Sequence, residues 1–597
     1  MIPYTPPLVD IRYLLTRLIG VERLASLPTY DAVAEELIDA VLDETAKIAG
    51  DVFAPLNDVG DKKGATFANG AVTMPAGFRD AYQAFVDGGW NGLSVDTEAG
   101  GQGLPATLGM PVQEMLQAAN LALALCTLLN QGAIELLHKH GSEALRATFL
   151  PKLVSGEWTG TMNLTEPQAG SDVGAVKCRA ERTGDHYRIT GQKIFISYGD
   201  HDLAENIIHL VLARLPDAPE GTKGLSLFLV PKILVNADGS LGTANDVRTV
   251  SIEHKLGQHA SPTCVLAYGD TTGAVGYLVG EEGGGITAMF TMMNNARIGV
   301  GVQALGLMER SYQQARDFAK TRVQSRAIDK PKEPPVAIIE HPDVRRMLLG
   351  MKAHTEAARA LAYACAFAVD EARRSTDDKQ RQAAAARVDL LTPVVKGWIT
   401  DLGNEITSVG VQVCGGMGYI EETGIAQHMR DARVLAIYEG TNGIQANDLV
   451  FRKIIRDNGA ALSVLLNEVA ALLPDLQKAS GTAFKILHKH LAESLLATHE
   501  ATAWLLANKA NPALVAATAA PFLRLTGNML GGYYLIKTAL LAATDLAAGE
   551  GDAHYLENKI LTARFYAEHV LTLSNGLSQT VKEGGSAVLS GDIKDCF

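Results

Sequence analysis

The chain has 597 residues, too many for a single hydrophobic core, so two to four domains are expected. Hydrophobic residues at 47% and charged residues at 20% match an ordinary globular protein. A formal charge of -13 removes nucleic acid as a main partner, because phosphate binding needs a basic footprint.

The opening "MIPYTPPLVDIRYLL" carries prolines and an aspartate where a signal peptide needs a basic and then an apolar stretch. No unbroken apolar run approaches the ~20 residues that span a bilayer, so no transmembrane segment is expected. Six scattered cysteines without paired spacing fit reduced thiols in the cytoplasm. Helices are expected from about 30 to 150, with Val33, Leu37, Val41, Thr45 and Ile48 on or near one stripe and a turn at Asp96 to Pro105. From about 160 to 280 the texture changes to short β-branched runs such as "DHYRITGQKIFIS" and "GLSLFLVPK", divided by turn residues. That predicts a small β-barrel or sandwich. Long amphipathic segments follow, as in a helix bundle. "RDNGA" at Arg456 to Ala460 marks a boundary, and beyond it Leu462, Leu466, Val469 and Leu473 share a helical stripe. The expected fold is mostly α with a central β-barrel. Its parts are an N-terminal helical domain (1–159), the barrel (160–284), a four-helix domain (285–456) and a C-terminal helical extension (457–597).

Nucleotide fingerprints fail. "GQGLPA" at Gly101 to Ala106 contains a proline and follows no strand, so it reads as a loop rather than a dinucleotide turn. "HKH" at 138–140 and 488–490 lacks partners at metal-ligand spacing and reads as solvated helix ends, so no metal is expected. Three stretches resist a bland reading. "MNLTEPQAGSDVG" offers backbone N–H groups and small hydroxyls to a phosphate or a flat ring. "QVCGGMGYIEE" offers a close backbone approach at Gly415 and Gly416. "IYEGTNGIQ" places one carboxylate, Glu439, after an apolar run, as a cap or a base.

In content, order and spacing, "LTEPQAGSD", "ITGQKIFIS", "QVCGGMGYIEETGIAQHMRDAR" and "IYEGT" resemble the acyl-CoA dehydrogenase family over roughly residues 80 to 455. The extra C-terminal helices resemble the family's longer, very-long-chain-type members, and the N-terminal "YTPPLVDIRYLLTRLIG" is more similar still to a bacterial branch that contains 3-methylmercaptopropionyl-CoA dehydrogenases alongside enzymes for ordinary fatty acyl-CoAs. The resemblance implies bound FAD, an acyl-CoA thioester substrate, an electron-transferring flavoprotein as acceptor, and a homo-oligomer, a dimer first.

It also implies roles. Glu439 is the catalytic base. Leu164 and Thr165 meet the flavin ring, and Gly170 and Ser171 lie beside the FAD pyrophosphate and the thioester. Phe195 and Ser197 flank the flavin in place of the more usual tryptophan and threonine. Arg322 reaches the pyrophosphate across the subunit interface, Gln412, Gly415 and Gly416 meet the adenosine half, and Thr441 contacts FAD. Ser171, Arg297 and Gly440 border the substrate. This chain departs from the pattern at Ser325-Arg326, where relatives carry Phe-Gly, and at Gly443, where many carry a polar side chain. Some relatives place the base directly before the arginine matching Arg297; here that residue is Ala296, which leaves Glu439 alone.

The implied reaction removes an α-proton and a β-hydride from the thioester and leaves a trans-2-enoyl-CoA. The α-carbon is far too weak an acid for a carboxylate in water. Donors on the thioester oxygen, which the resemblance implies are the Glu439 N–H and a flavin ribityl hydroxyl, can supply roughly 3–4 kcal/mol each. Excluding water from a carboxylate strengthens it as a base. Two rivals share the fold: an acyl-CoA oxidase passing electrons to O2, and a non-catalytic flavoprotein that associates with DNA or an assembly partner. The acidic balance disfavours DNA, and an intact Glu439 disfavours a purely structural role.

Overall fold

The computed structural model describes residues 3–591. By their contacts these form two units, one of residues 3–6 and 44–299 and one of 7–43 and 300–591.

The first unit holds a helical layer and the β structure. Its central helix, Leu121–His140, starts where the Asn120 side chain accepts the Leu123 N–H at 3.1 Å. A β-carbon on Gly160 would lie 2.2 Å from the Ala133 side chain, so glycine lets the strand press against this helix. The twelve strands among the described residues are β1 (Thr66–Ala68), β2 (Ala71–Thr73), β3 (Trp158–Asn163), β4 (Arg179–Thr183), β5 (His186–Ser197), β6 (Asn206–Arg214), β7 (Leu225–Pro231), β8 (Ile233–Val235), β9 (Leu241–Ala244), β10 (Val247–Ile252), β11 (Thr263–Tyr268) and β12 (Ala274–Val279). Pairings β5–β12–β7–β6–β4–β5 close a ring, which is the barrel. β3 runs parallel beside β6, and β11 then β10 extend from β5. β6 and β7 are buried on both faces, which is why they read as continuous apolar runs rather than alternating ones. His209 inside β6 meets the Thr161 hydroxyl through Nδ1 at 2.8 Å, while its buried Nε2 has no partner among the described residues.

The second unit is helical. Helices Pro342–Arg374 and Asp378–Cys414 are joined through Ser375–Asp377, where Asp377 caps the second by accepting from the N–H groups of Lys379 and Gln380. The C-terminal extension adds Ala460–Lys478, Thr482–Ala507, Pro512–Ala548, Ala553–His569 and Ser574–Glu583. Its long Pro512–Ala548 helix receives Trp398 in a notch: β-carbons on Gly527 and Gly531 would lie 2.2 Å and 2.6 Å from the indole. The indole N–H donates to Asn528 Oδ1 at 2.9 Å.

A buried charge cluster ties three parts of this unit together. Asp10, from the helix Leu8–Tyr13, accepts from Arg359 at 2.7 Å, Lys559 at 2.6 Å and the Tyr555 hydroxyl at 3.0 Å. Arg359 also reaches Glu309 at 2.6 Å, Lys559 reaches Glu356 at 2.7 Å, and Lys352 pairs with Glu356. Three carboxylates (Asp10, Glu309, Glu356) thus meet three cations (Lys352, Arg359, Lys559) with no net charge. Burial pushes the Lys352 ammonium down to about 8, reinforced by Lys559 and opposed by Asp10 and Glu309.

Four expectations need correction. The β1–β2 hairpin interrupts the stretch read as all helical: Asn69 and Gly70 both have positive φ, 52° and 79°, as a two-residue hairpin turn requires. Of the expected stripe Val33, Thr45 and Ile48 are buried, but along helix Glu35–Lys47 the fully buried places between them belong to Ile38 and Leu42, with Leu37 and Val41 half-buried beside them. His488–His490 lies within helix Thr482–Ala507 rather than at an end. Three helices, Leu121–His140, Ala460–Lys478 and Pro512–Ala548, are long and apolar enough to cross a membrane by length and composition. A search for an unbroken apolar run passes over them because polar residues are scattered through each. In the first and third, 83% and 61% of the apolar window is packed inside the protein; in the second, 28%.

Candidate functional site

In the first unit the stretch after β3 is fastened from beneath by a buried ion pair. Lys193 on β5 donates to the Leu164 carbonyl at 2.9 Å and to Glu166 Oε1 at 2.8 Å. Glu166 also accepts the N–H groups of Lys177 and Cys178, at 2.7 and 3.0 Å, and Ile194 N–H donates to the Thr165 carbonyl at 2.9 Å. These bonds bring Leu164 and Thr165 beside the edge of β5 that carries Phe195 and Ser197. Burial pushes the Glu166 carboxyl up, and the Lys193 ammonium with the two backbone donors outweighs it, leaving the group at about 2. Its unfolded value is about 4.3. The resulting stability is present above that value and lost as pH falls through the folded one. Glu166→Gln is therefore expected to lower stability at pH 6 and to flatten its decline between about pH 4 and 2; urea unfolding across that range is the check, and parallel pH profiles would contradict it.

Phe195 is 59% exposed with φ 58°, at a bulge in the β5–β11 pairing between Lys193 and Ile196. Bulges re-aim side chains in this way. Ser197 is half-buried on the same strand, and Gly170 and Ser171 are exposed, with open space where a β-carbon on Gly170 would stand. The Thr165 hydroxyl has no hydrogen-bond partner among the described residues. An outward-turned aromatic, a half-buried hydroxyl and an open glycine loop fit a flat, anionic group such as FAD. Arg297, in helix Gly285–Thr321, is buried; its guanidinium meets Asn294 Oδ1 at 3.3 Å and lies 5.8 Å from the centre of the Phe290 ring.

In the second unit Glu439 is half-buried in a turn and has φ 55°, followed by Gly440 at 86°. A left-handed conformation costs a residue with a β-carbon about 1–2 kcal/mol. Local contacts maintain it. Gln445, fully buried, donates to the carbonyls of both Glu439 and Gly440 at 3.3 Å. Lys396, also fully buried, donates to the Gly440 carbonyl and to Asn442 Oδ1, each at 2.8 Å. The Asn442 amide donates to Asp401 at 2.6 Å and to the Gly397 carbonyl at 3.0 Å. Burial raises the Asp401 carboxyl above its ordinary value, opposed by the Asn442 hydrogen bond. Thr441 caps the next helix by accepting the Ile444 N–H at 3.4 Å, and its own O–H remains available to donate. The apolar run before Glu439 divides: Leu435 is fully buried and Ile437 is 50% exposed.

Sequence reasoning missed Lys396, Asn442 and Gln445. The available signal was one cation in "TPVVKGWIT", whose neighbours Val394, Val395, Trp398 and Ile399 are all buried. Arg322 is exposed where Ile338 N–H closes on its carbonyl at 2.8 Å. Gln412 is exposed on the last turn of helix Asp378–Cys414. Gly415 has φ 59°, which calls for glycine; around Gly416 this chain leaves open space, so nothing in the unit itself demands one.

Comparisons with known proteins point to one family. Family models match in succession: acyl-CoA dehydrogenase N-terminal domain at 39–157, middle domain at 161–271, C-terminal domain at 283–453, and acetyl-CoA dehydrogenase C-terminal like at 465–592. A 3-methylmercaptopropionyl-CoA dehydrogenase of Ruegeria pomeroyi is 45% identical over 592 residues, covering 99% of this chain and 100% of that one. A butyryl-CoA dehydrogenase of Syntrophomonas wolfei is 38% identical over 597 residues, covering 97% of each. The solved structure of Caenorhabditis elegans ACDH-11 in complex with C11-CoA has the same fold, with a TM-score of 0.76, 21% identity, and coverage of 99% of this chain and 97% of that one. Identity at this level, sustained from end to end, means that the chain belongs to the acyl-CoA dehydrogenase family and is an FAD-dependent acyl-CoA dehydrogenase.

Proposed function

We propose that Glu439 removes the α-proton of a short, linear acyl-CoA, with 3-methylmercaptopropionyl-CoA and butyryl-CoA as the candidate substrates, and yields the trans-2-enoyl thioester. The observation that carries the reading is the backbone of Glu439, left-handed and gripped from inside by Gln445 and Lys396 through its own and the next carbonyl. Strain of this kind persists only where surroundings over-determine it, and it gathers at functional sites. The substrate class rests on two relatives similar along their whole length, each named for a short acyl chain.

Within this reading Leu164, Thr165, Gly170, Ser171, Phe195 and Ser197 hold the flavin and phosphate parts of FAD, joined by Arg322, Gln412, Gly415, Gly416 and Thr441. When bound, FAD supplies the hydride acceptor for the β-hydrogen. Ser171, Arg297 and Gly440 border the thioester, and the Glu439 N–H donates to its oxygen as charge develops there. A second copy of the chain covers the exposed Met417, Tyr419 and Ile420 beside Gly415, making a homodimer; Tyr419 is 85% exposed. The five cysteines among the described residues are buried and free, in keeping with the cytoplasm, and Cys596 lies outside those residues. An electron-transferring flavoprotein is the acceptor.

A panel of acyl-CoAs from about four to eighteen carbons with the methylmercaptopropionyl thioester tests the assignment. The largest kcat/KM is expected at the short end, falling by roughly tenfold or more beyond about eight carbons, as a cavity of fixed size dictates. A long-chain optimum would overturn the substrate class. Faster reoxidation of the reduced enzyme by air than by an electron-transferring flavoprotein would overturn the acceptor.

A further inference from the structure

The helix Asp378–Cys414 buries one cation in an apolar span. Lys396 is fully buried, as are Val394, Val395, Trp398 and Ile399 around it. A buried ammonium is costly unless its donors are met. Packing alone would be served as well by methionine or leucine, so its partners carry the explanation. Two of them are the Gly440 carbonyl and Asn442 Oδ1, both at 2.8 Å, on the residues that bracket Thr441 just after Glu439.

These contacts act on the backbone where it is least free to hold itself. Glu439 and Gly440 are consecutive left-handed residues, and both of their carbonyls accept from buried donors, Gln445 to each and Lys396 to the second. Fixing those carbonyls fixes two peptide planes, and with them the direction in which the Glu439 side chain leaves the turn. Asn442 relays the grip back into the helix through Asp401 and the Gly397 carbonyl. The C-terminal extension closes the arrangement from behind: a β-carbon on Gly397 would lie 2.6 Å from Leu523 and 3.3 Å from Gln445, so glycine lets helix Pro512–Ala548 and the turn meet there.

We infer that Lys396 is a positioning residue for α-proton abstraction, setting the turn from which Glu439 reaches the substrate, with the C-terminal extension as the support behind it. This rests on Glu439 being the base. A base displaced by about 1 Å loses on the order of 10²-fold in rate.

The test uses the FAD-loaded full chain and butyryl-CoA with and without deuterium at the α-carbon. Lys396→Met is expected to bind FAD and to keep KM within about threefold, while kcat falls roughly 10- to 100-fold and the α-deuterium isotope effect on kcat rises. A general loss of folded protein would not change the isotope effect. A folded, FAD-loaded Lys396→Met with kcat within about twofold of wild type and an unchanged isotope effect would overturn the inference. If that variant does not accumulate as folded protein, Asn442→Ala, which removes the Oδ1 acceptor of the ammonium, is read by the same criteria. Glu439→Gln is run alongside. Turnover by Glu439→Gln defeats the base assignment and the inference with it; an inactive Glu439→Gln beside a fully active Lys396→Met defeats the positioning role alone.

Discussion

Glu439→Gln gives a yellow protein that binds FAD and does not turn over. Glutamine has nearly the shape of glutamate, and the turn is gripped through backbone carbonyls and neighbouring side chains, so the fold and the cofactor groups are unaffected. The amide cannot accept a proton. Positioned general bases are worth about 10²–10⁴-fold, and no second carboxylate stands at the alternative position, which is Ala296. The expected loss in kcat is therefore on the order of 10³-fold or more. Absorbance of bound flavin and turnover with an artificial electron acceptor measure the two halves of the claim. Retained turnover above a few per cent in a flavin-loaded variant would move the base elsewhere.

Arg359→Met strikes the charge cluster and should cost about 3–5 kcal/mol of stability. Methionine replaces the stem, so little volume is lost; the damage is electrostatic. Glu309 loses its contact at 2.6 Å, Asp10 keeps Lys559 but loses the contact at 2.7 Å, and three buried carboxylates face two cations. An exposed pair gives the contrast. Lys478 and Asp475 are 77% and 57% exposed, so Lys478→Ala should change stability by no more than about 0.5 kcal/mol. Urea unfolding of both variants makes the comparison, and equal midpoints would refute the ranking.

The larger plan of the molecule could be read in the chain because the two periodicities differ so plainly. β6 and β7 are short β-branched runs between turns, while "VRRMLLGMKAHTEAARALAYACAFAVDEARR" keeps a helical stripe through helix Pro342–Arg374. The β1–β2 hairpin was legible too, in "FANGAV", but the helical texture around it outweighed an Asn-Gly turn flanked by short strands. At the site, Glu439 stood out as a single charge among apolar residues. Its supports did not, because Lys396 lies 43 residues earlier and Gln445 is an ordinary polar residue in sequence; pairing across such separations exists only once the helices pack. The charge cluster was invisible for the same reason: Asp10 reads as one more acidic residue near the start until Arg359 and Lys559 close on it.

That cluster also sets a schedule for synthesis. Asp10 and Lys559 are 549 positions apart. At about 5–20 residues per second, roughly 30–110 s separate their emergence from the ribosome. Until then the nascent amino terminus has no permanent berth, and the layer built around helix Pro342–Arg374 lacks the cation that completes its neutrality. The first unit can mature while translation continues, but the helical unit locks only once Lys559 has emerged.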